Sequence, residues 1–128
     1  MKLVGADQAL RPQERITRRA DYQRIYQQGL RTGGRFMTVF TLPNNTPVTR
    51  LGVAATRKLG GAVVRNRAKR LAREVFRRHK LTSGLDVVVI PRREMLDAEF
   101  GSLEADYRSL LTRRIRRDPS AASRDRAR

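Results

Sequence analysis

The chain has no cysteine and a single histidine. The first absence removes disulfides, thiolate zinc sites and cysteine nucleophiles together, and it is compatible with a reducing compartment. The second means that no histidine pair for metal binding or proton relay can be assembled; His79 itself reads as a surface residue near a helix end. Acidic residues number only 12 and are scattered. Asp97 and Glu99, the closest pair outside the expected helices, precede Phe100-Gly101 in a connecting loop, so the clustered carboxylates of a two-metal nuclease are missing. No catalytic residues are expected in this chain. Also lacking are a stretch with the length and apolarity of a membrane span, an apolar N-terminal run of the signal-peptide kind, and repeats at solenoid periods. These absences point to a cytoplasmic location and no membrane association.

What is abundant is positive charge. Lysine and arginine number 29 against 12 acids, a formal net charge of +17 with a pI near 11.8. Such a balance calls for a polyanionic partner, with nucleic acid the first candidate. At 128 residues the chain suits one compact domain with a single core. Residues 1–14, without apolar period, read as a flexible basic arm, and residues 118–128, with Pro119 among small and charged residues, as a disordered tail. The domain is expected over residues 15–117.

Within it, a first helix is expected from about Arg18 to Gln28, with Thr17 as N-cap and Gly29 past the end, where a left-handed residue is favoured. Phe36 to Leu42 alternates as a strand, with Phe36, Thr38, Phe40 and Leu42 on one face and Met37, Val39 and Thr41 on the other. The turn chemistry of Pro43-Asn44-Asn45-Thr46-Pro47 then predicts an antiparallel hairpin with a second strand, Leu51 to Thr56. A helix over Ala62 to Lys80 and an interior, parallel strand over Leu85 to Ile90 complete a crossover unit. A last helix starts near Ser102, carrying Leu103, Tyr107, Leu110 and Leu111. The expectation is a small α+β domain (an α/β sandwich) in the order α-β-β-α-β-α, with a short extra strand near Leu30 to Thr32.

The Ala62 to Lys80 helix carries the strongest functional signal. At about 100° per residue, Val64, Ala68, Leu71, Ala72 and Val75 share one face, which goes to the core. Arg65, Lys69, Arg73 and Arg77 fall one turn apart, with Asn66 and Arg70 beside them. Like charges at this spacing repel by a few tenths of a kcal/mol per pair, and Glu74 is the only acid in the helix to relieve them. A solvated structural helix usually alternates signs, so the one-sign face points to RNA or DNA. Arginine suits phosphate because its planar fork makes two parallel charge-assisted bonds. Asn66 is open to two readings, a contact to a base edge or 2′-hydroxyl and a local backbone cap. Upstream, Arg57-Lys58-Leu59-Gly60-Gly61 leads into the helix N-terminus, a favourable place for phosphate, but without P-loop or dinucleotide spacing.

The run from Arg57 to Glu74, centred on Arg65-Asn66-Arg67 and Lys69-Arg70, closely resembles the signature of the bacterial ribonuclease P protein subunit. The likeness extends over about Arg15 to Arg117. It implies a ribosomal-protein-like domain with a mixed sheet and a left-handed βαβ crossover, against the general preference. It also implies a protein that binds ribonuclease P RNA and precursor tRNA and assists removal of the 5′ leader. Chemistry is then performed by the RNA, with Mg2+ held by RNA and substrate and no cofactor bound by the protein alone. On this resemblance Arg57, Lys58, Arg65, Asn66, Arg67, Lys69, Arg70 and Arg73 contact the catalytic RNA. Tyr22, Tyr26, Phe40, Lys58 and Arg92 border a cleft for the single-stranded leader. No obligatory protein partner is implied. Gly61 stands where the family usually has asparagine, and Thr56 where it often has serine.

Without the resemblance, Tyr22 and Tyr26, one turn apart, read by default as a core stripe, with a stacking platform for bases as the alternative. The competing function is a structural, ribosomal-type rRNA-binding protein, with the same charge, size and fold class. A protein-only nuclease is disfavoured by the missing carboxylate site.

Overall fold

The computed structural model describes residues 10–80 and 84–117; most of the expected arm and all of the expected tail lie outside them. Helix α1 spans Arg19–Gln28, and strands β1, β2 and β3 span Leu30–Gly33, Met37–Pro43 and Arg50–Val53. Helix α2 spans Ala62–Arg78, β4 Leu85–Pro91 and α3 Phe100–Arg117, with short 3-10 turns at Pro12–Glu14 and Arg93–Asp97. This is a small α+β domain on a four-stranded mixed sheet, and the short strand expected near Leu30 is part of it. No helix among the described residues is long and apolar enough to cross a membrane.

The sheet order is β1-β2-β4-β3. Strands β1 and β2 pair antiparallel, β2 and β4 antiparallel, and β3 and β4 parallel. The hairpin expected between β2 and β3 is therefore not formed. The reason lies in β4, whose Val87, Val88 and Val89 are all buried and need cover on both faces and neighbours on both edges. It takes the interior place between β2 and β3. The turn residues after Pro43 serve a wider connection instead, in which the Asn44 N–H bonds the Gly84 carbonyl at 3.2 Å. The tight antiparallel pair is β1 with β2, its turn held by Asp106 of α3, which accepts from the N–H groups of Arg35 and Phe36 at 3.2 and 3.0 Å.

Period-two alternation divides the sheet between two cores. Met37, Val39, Leu51, Val87 and Val89 pack with Ala68, Ala72, Val75 and Phe76 of α2 and with Leu103, Tyr107, Leu110 and Leu111 of α3. On the opposite face, Val88, Phe40, Leu42 and Ile90 meet Ile16, Tyr22 and the fully buried Ile25. Phe36, expected on the Phe40 face, precedes the strand and turns into the larger core.

Several local expectations are corrected. Thr17 does not cap α1, whose cap position is Arg18 with no side-chain bond. Gly29 is extended rather than left-handed; glycine is needed because a Cβ would lie 2.4 Å from the Ile25 carbonyl oxygen. His79 is half-buried and bonds Glu104 at 3.0 Å. Packing also reaches back to Leu10, buried in the larger core, and Glu14 pairs with Lys80 at 2.8 Å. Core packing among the described residues thus includes a residue before Arg15, because one apolar side chain is enough to anchor a segment but too little to make a period.

Candidate nucleic-acid interface

Helix α2 starts from a turn anchored by the buried Leu59, with bonds from Leu59 N–H to Thr56 O and from Gly60 N–H to Arg57 O. Gly60 has φ +150°, a conformation L residues rarely adopt, and a Cβ there would lie 3.0 Å from the Val64 side chain. Gly61 differs. It is the N-cap in extended conformation, φ −75°, with open space where a Cβ would stand and no side-chain cap. An asparagine at this site has room and a capping oxygen, so Gly61→Asn is expected to raise stability by roughly 0.5 kcal/mol, through the cap and a less flexible unfolded chain. A thermal melt with an unchanged or lower midpoint would contradict this reading of the turn.

The basic residues of α2 do not form one straight rail. Arg65, Lys69 and Arg73 lie on the flank toward β3, where Lys69 and Arg73 border a cleft with Leu51 and Gly52. Arg67 lies on the other flank, its guanidinium donating to the Leu96 carbonyl at 2.7 Å. Asn66 and Arg70 are exposed between the flanks. Asn66 sits in the second turn, past the cap, so the cap reading fails and its amide faces outward. Arg77 leaves the rail, folding onto Glu74 with its side chain only 9% exposed. The Arg77 hydrogen bond, outweighing burial, holds the Glu74 carboxyl below its usual range. Arg57 and Lys58 are exposed in the turn before the helix.

On the other face of the sheet, α1 leaves a groove. Tyr26 stands edge-on to Phe40, ring centroids 5.1 Å apart at 74°, and Tyr22 lies 6.3 Å from Tyr26. Tyr22 is the anchored member: its hydroxyl donates to the Ile16 carbonyl at 3.3 Å. Its ring lies flat enough on β3 that a Cβ at Gly52 would come within 2.6 Å of the hydroxyl oxygen. Tyr26 is the open member, 40% exposed. Burial raises the pKa of both phenols, so both stay neutral. At one end Arg92 donates to the Thr38 hydroxyl at 3.3 Å, and neighbouring Arg93 reaches the Lys58 carbonyl at 3.5 Å. Tyr22, Tyr26, Phe40 and Arg92 therefore share one side of the sheet, with Lys58 tied to its rim.

One functional support escaped the sequence reading. Asp86, fully buried under α1, accepts from Arg24 at 2.9 Å, from two nitrogens of Arg50 at 2.8 and 2.7 Å, and from Asn44 at 2.8 Å. Burial alone would raise its pKa, but the bonds from Arg50 and Asn44 and the charges of Arg50 and Arg24 outweigh that and hold the carboxyl low. This cluster ties α1, β3 and β4 together and so sets the height of the tyrosines over the sheet. The signal available beforehand was a lone acid inside a valine run.

A mixed sheet with a basic helix on one face and an aromatic groove on the other defines a small single-domain RNA-binding protein. The sequence profile of the Ribonuclease P family matches residues 10–114. The chain belongs to the ribonuclease P protein component family. It is 42% identical over 101 residues to the ribonuclease P protein component of Oleidesulfovibrio alaskensis, covering 76% of this chain and 80% of that protein. With the corresponding protein of Caldanaerobacter subterraneus it shares 34% over 99 residues, covering 76% and 85%. The solved RNase P protein of Thermotoga maritima superposes with a TM-score of 0.70 at 34% identity, covering 78% of this chain and 96% of that one. That of Staphylococcus aureus gives 0.68 at 36% identity, covering 77% and 93%. Membership makes this chain a component of an RNA-processing endoribonuclease complex, with ribonuclease P RNA as its partner.

Proposed function

We propose that the protein docks on the catalytic RNA through α2 and its preceding turn, and holds the 5′ leader of precursor tRNA in the groove between α1 and the sheet. Arg57, Lys58, Arg65, Asn66, Arg67, Lys69, Arg70 and Arg73 serve the first contact; Tyr22, Tyr26, Phe40, Lys58 and Arg92 serve the second. The observation that carries this reading is Tyr26, an aromatic ring 40% exposed and braced on Phe40. A ring so placed stacks on any base, the tolerance a leader of variable sequence requires. Leader removal to give the mature tRNA 5′ end is then chemistry of the RNA subunit with Mg2+, in the cytoplasm. Among the described residues no group of three or more acidic or histidine side chains is placed to hold a metal.

The test is reconstitution with the host's catalytic RNA: precursor cleavage at low magnesium should rise when the protein is added. A structural rRNA-binding protein would leave it unchanged. Tyr26→Ala refines the test. Loss of a stacked base should cost about 1 to 3 kcal/mol of precursor affinity, while mature tRNA, which lacks the leader, binds as before. Because Tyr26 is already open to solvent, the melt of the free protein should shift little. A preserved precursor-to-mature ratio would remove the leader from this groove.

A further inference from the structure

A third basic feature lies where the outer edge of β3 meets α1 and α2. There a cleft of about 210 Å3 has Leu51, Gly52 and Val53 as its floor and Tyr22 as one wall. Arg15, Lys69 and Arg73 border it, and among the described residues no carboxylate does. Several cations of the surrounding elements are neutralised by acids. Arg24, Arg50, Arg77, Arg78 and Lys80 each have a carboxylate partner, whereas Arg15, Lys69 and Arg73 have no side-chain bond or ion pair with any described residue.

Arg15 is also held in position. The segment runs along the β3 edge through a parallel bridge between Arg15 and Leu51, with the Ile16 N–H bonded to the Leu51 carbonyl at 2.9 Å. Three cations that no described carboxylate neutralises are thereby gathered round one recess at the cost of mutual repulsion, which a bound anion reverses. The wall beside them is fixed and uncharged, since the Tyr22 hydroxyl hydrogen is committed to Ile16. The recess lies between the aromatic groove, with which it shares Tyr22, and the flank of α2, with which it shares Lys69 and Arg73.

We propose that this cleft is a binding site for a single RNA backbone phosphate, held by Arg15, Lys69 and Arg73. The proposal extends the RNA-binding reading above by adding Arg15 as a ligand and by joining the leader face to the α2 face at one phosphodiester. That phosphate is supplied by the leader or by the catalytic RNA, and the two sources separate by experiment.

The first measurement uses the free full chain and inorganic phosphate, followed by amide chemical shifts. Shifts are expected at Ile16, Thr17, Gly52 and Val53, and Arg15→Ala should abolish them with an unchanged circular dichroism spectrum. Shifts confined to the first turn of α2, or none, would overturn the site. The second uses reconstituted holoenzyme. Loss of one charged contact should weaken binding roughly 10- to 100-fold and make the salt slope shallower by about 0.7 to 0.9, with Arg15→Lys restoring most of the slope. If the change falls in the precursor titration, the leader supplies the phosphate; if it falls in protein assembly on the catalytic RNA, that RNA does. No change in either titration overturns the proposal. Failure of the wild-type protein to stimulate cleavage, with the phosphate shifts intact, would instead count against the functional reading alone.

Discussion

Replacing Asp86 by asparagine should lower the unfolding free energy by about 3 kcal/mol, enough to drop the melting temperature of a domain this size by roughly 10 to 20 °C. The carboxylate receives four hydrogen bonds from Arg24, Arg50 and Asn44. An amide keeps the shape but offers one acceptor oxygen and turns an N–H toward a guanidinium. Breaking a buried ion pair by removing one partner costs about 3 to 5 kcal/mol. The low end applies because the Arg24 and Arg50 side chains are 39% and 26% exposed and can turn to water. The same network makes stability depend on pH. The carboxyl titrates lower in the folded protein than in the unfolded chain, so its contribution is full above the ordinary carboxylate range and is lost as pH falls through and below it. Wild type should therefore lose stability from about pH 5 downward more steeply than the asparagine variant. Equal melting temperatures near neutral pH, or parallel acid curves, would show that the cluster does not hold α1 to the sheet.

The second large effect is expected from Arg65→Ala combined with Arg67→Ala. The two residues are about 200° apart around α2, and Arg67 is steadied by its bond to the Leu96 carbonyl, so they reach different parts of an RNA surface. Their losses should be nearly additive. With each charged contact contributing about 1.5 to 3 kcal/mol, affinity for the catalytic RNA should fall at least 100-fold. The salt slope should become shallower by the equivalent of about two phosphates. Filter binding over a salt series checks both, with circular dichroism to confirm the fold. An unchanged affinity and slope would move RNA docking away from α2. The outward Asn66, which carries no charge, should affect affinity without changing the slope.

Legibility in the sequence followed periodicity. Helix α2 stood out because its apolar residues recur at helical spacing beside an unbalanced row of arginines, and the observed core positions Ala68, Ala72 and Val75 are among those the spacing selects. Phe76 joins them from the edge of that face, and Arg77 does not stay exposed, because a long side chain can fold back onto Glu74. Composition and spacing do not encode that choice. The aromatic helix was visible as a pair of tyrosines one turn apart, but their two readings could not be separated. The structure divides them: Tyr22 is pinned to Ile16 and β3, while Tyr26 remains open.

By itself, then, the sequence determined the local elements, the faces of the strands, the basic character of α2 and the family signature at Arg65-Asn66-Arg67, all of which depend on residues a few positions apart. The tertiary structure alone decided the strand order, the insertion of β4 between β2 and β3, the burial of Leu10 and the convergence of Arg24, Asn44 and Arg50 on Asp86. It also decided that Arg15 meets Lys69 and Arg73 across one recess. The physical reason is that alternation says which side a residue faces but not which strand lies beside it. Contacts between residues 36 to 62 positions apart arise only when the whole sheet closes round its most apolar strand.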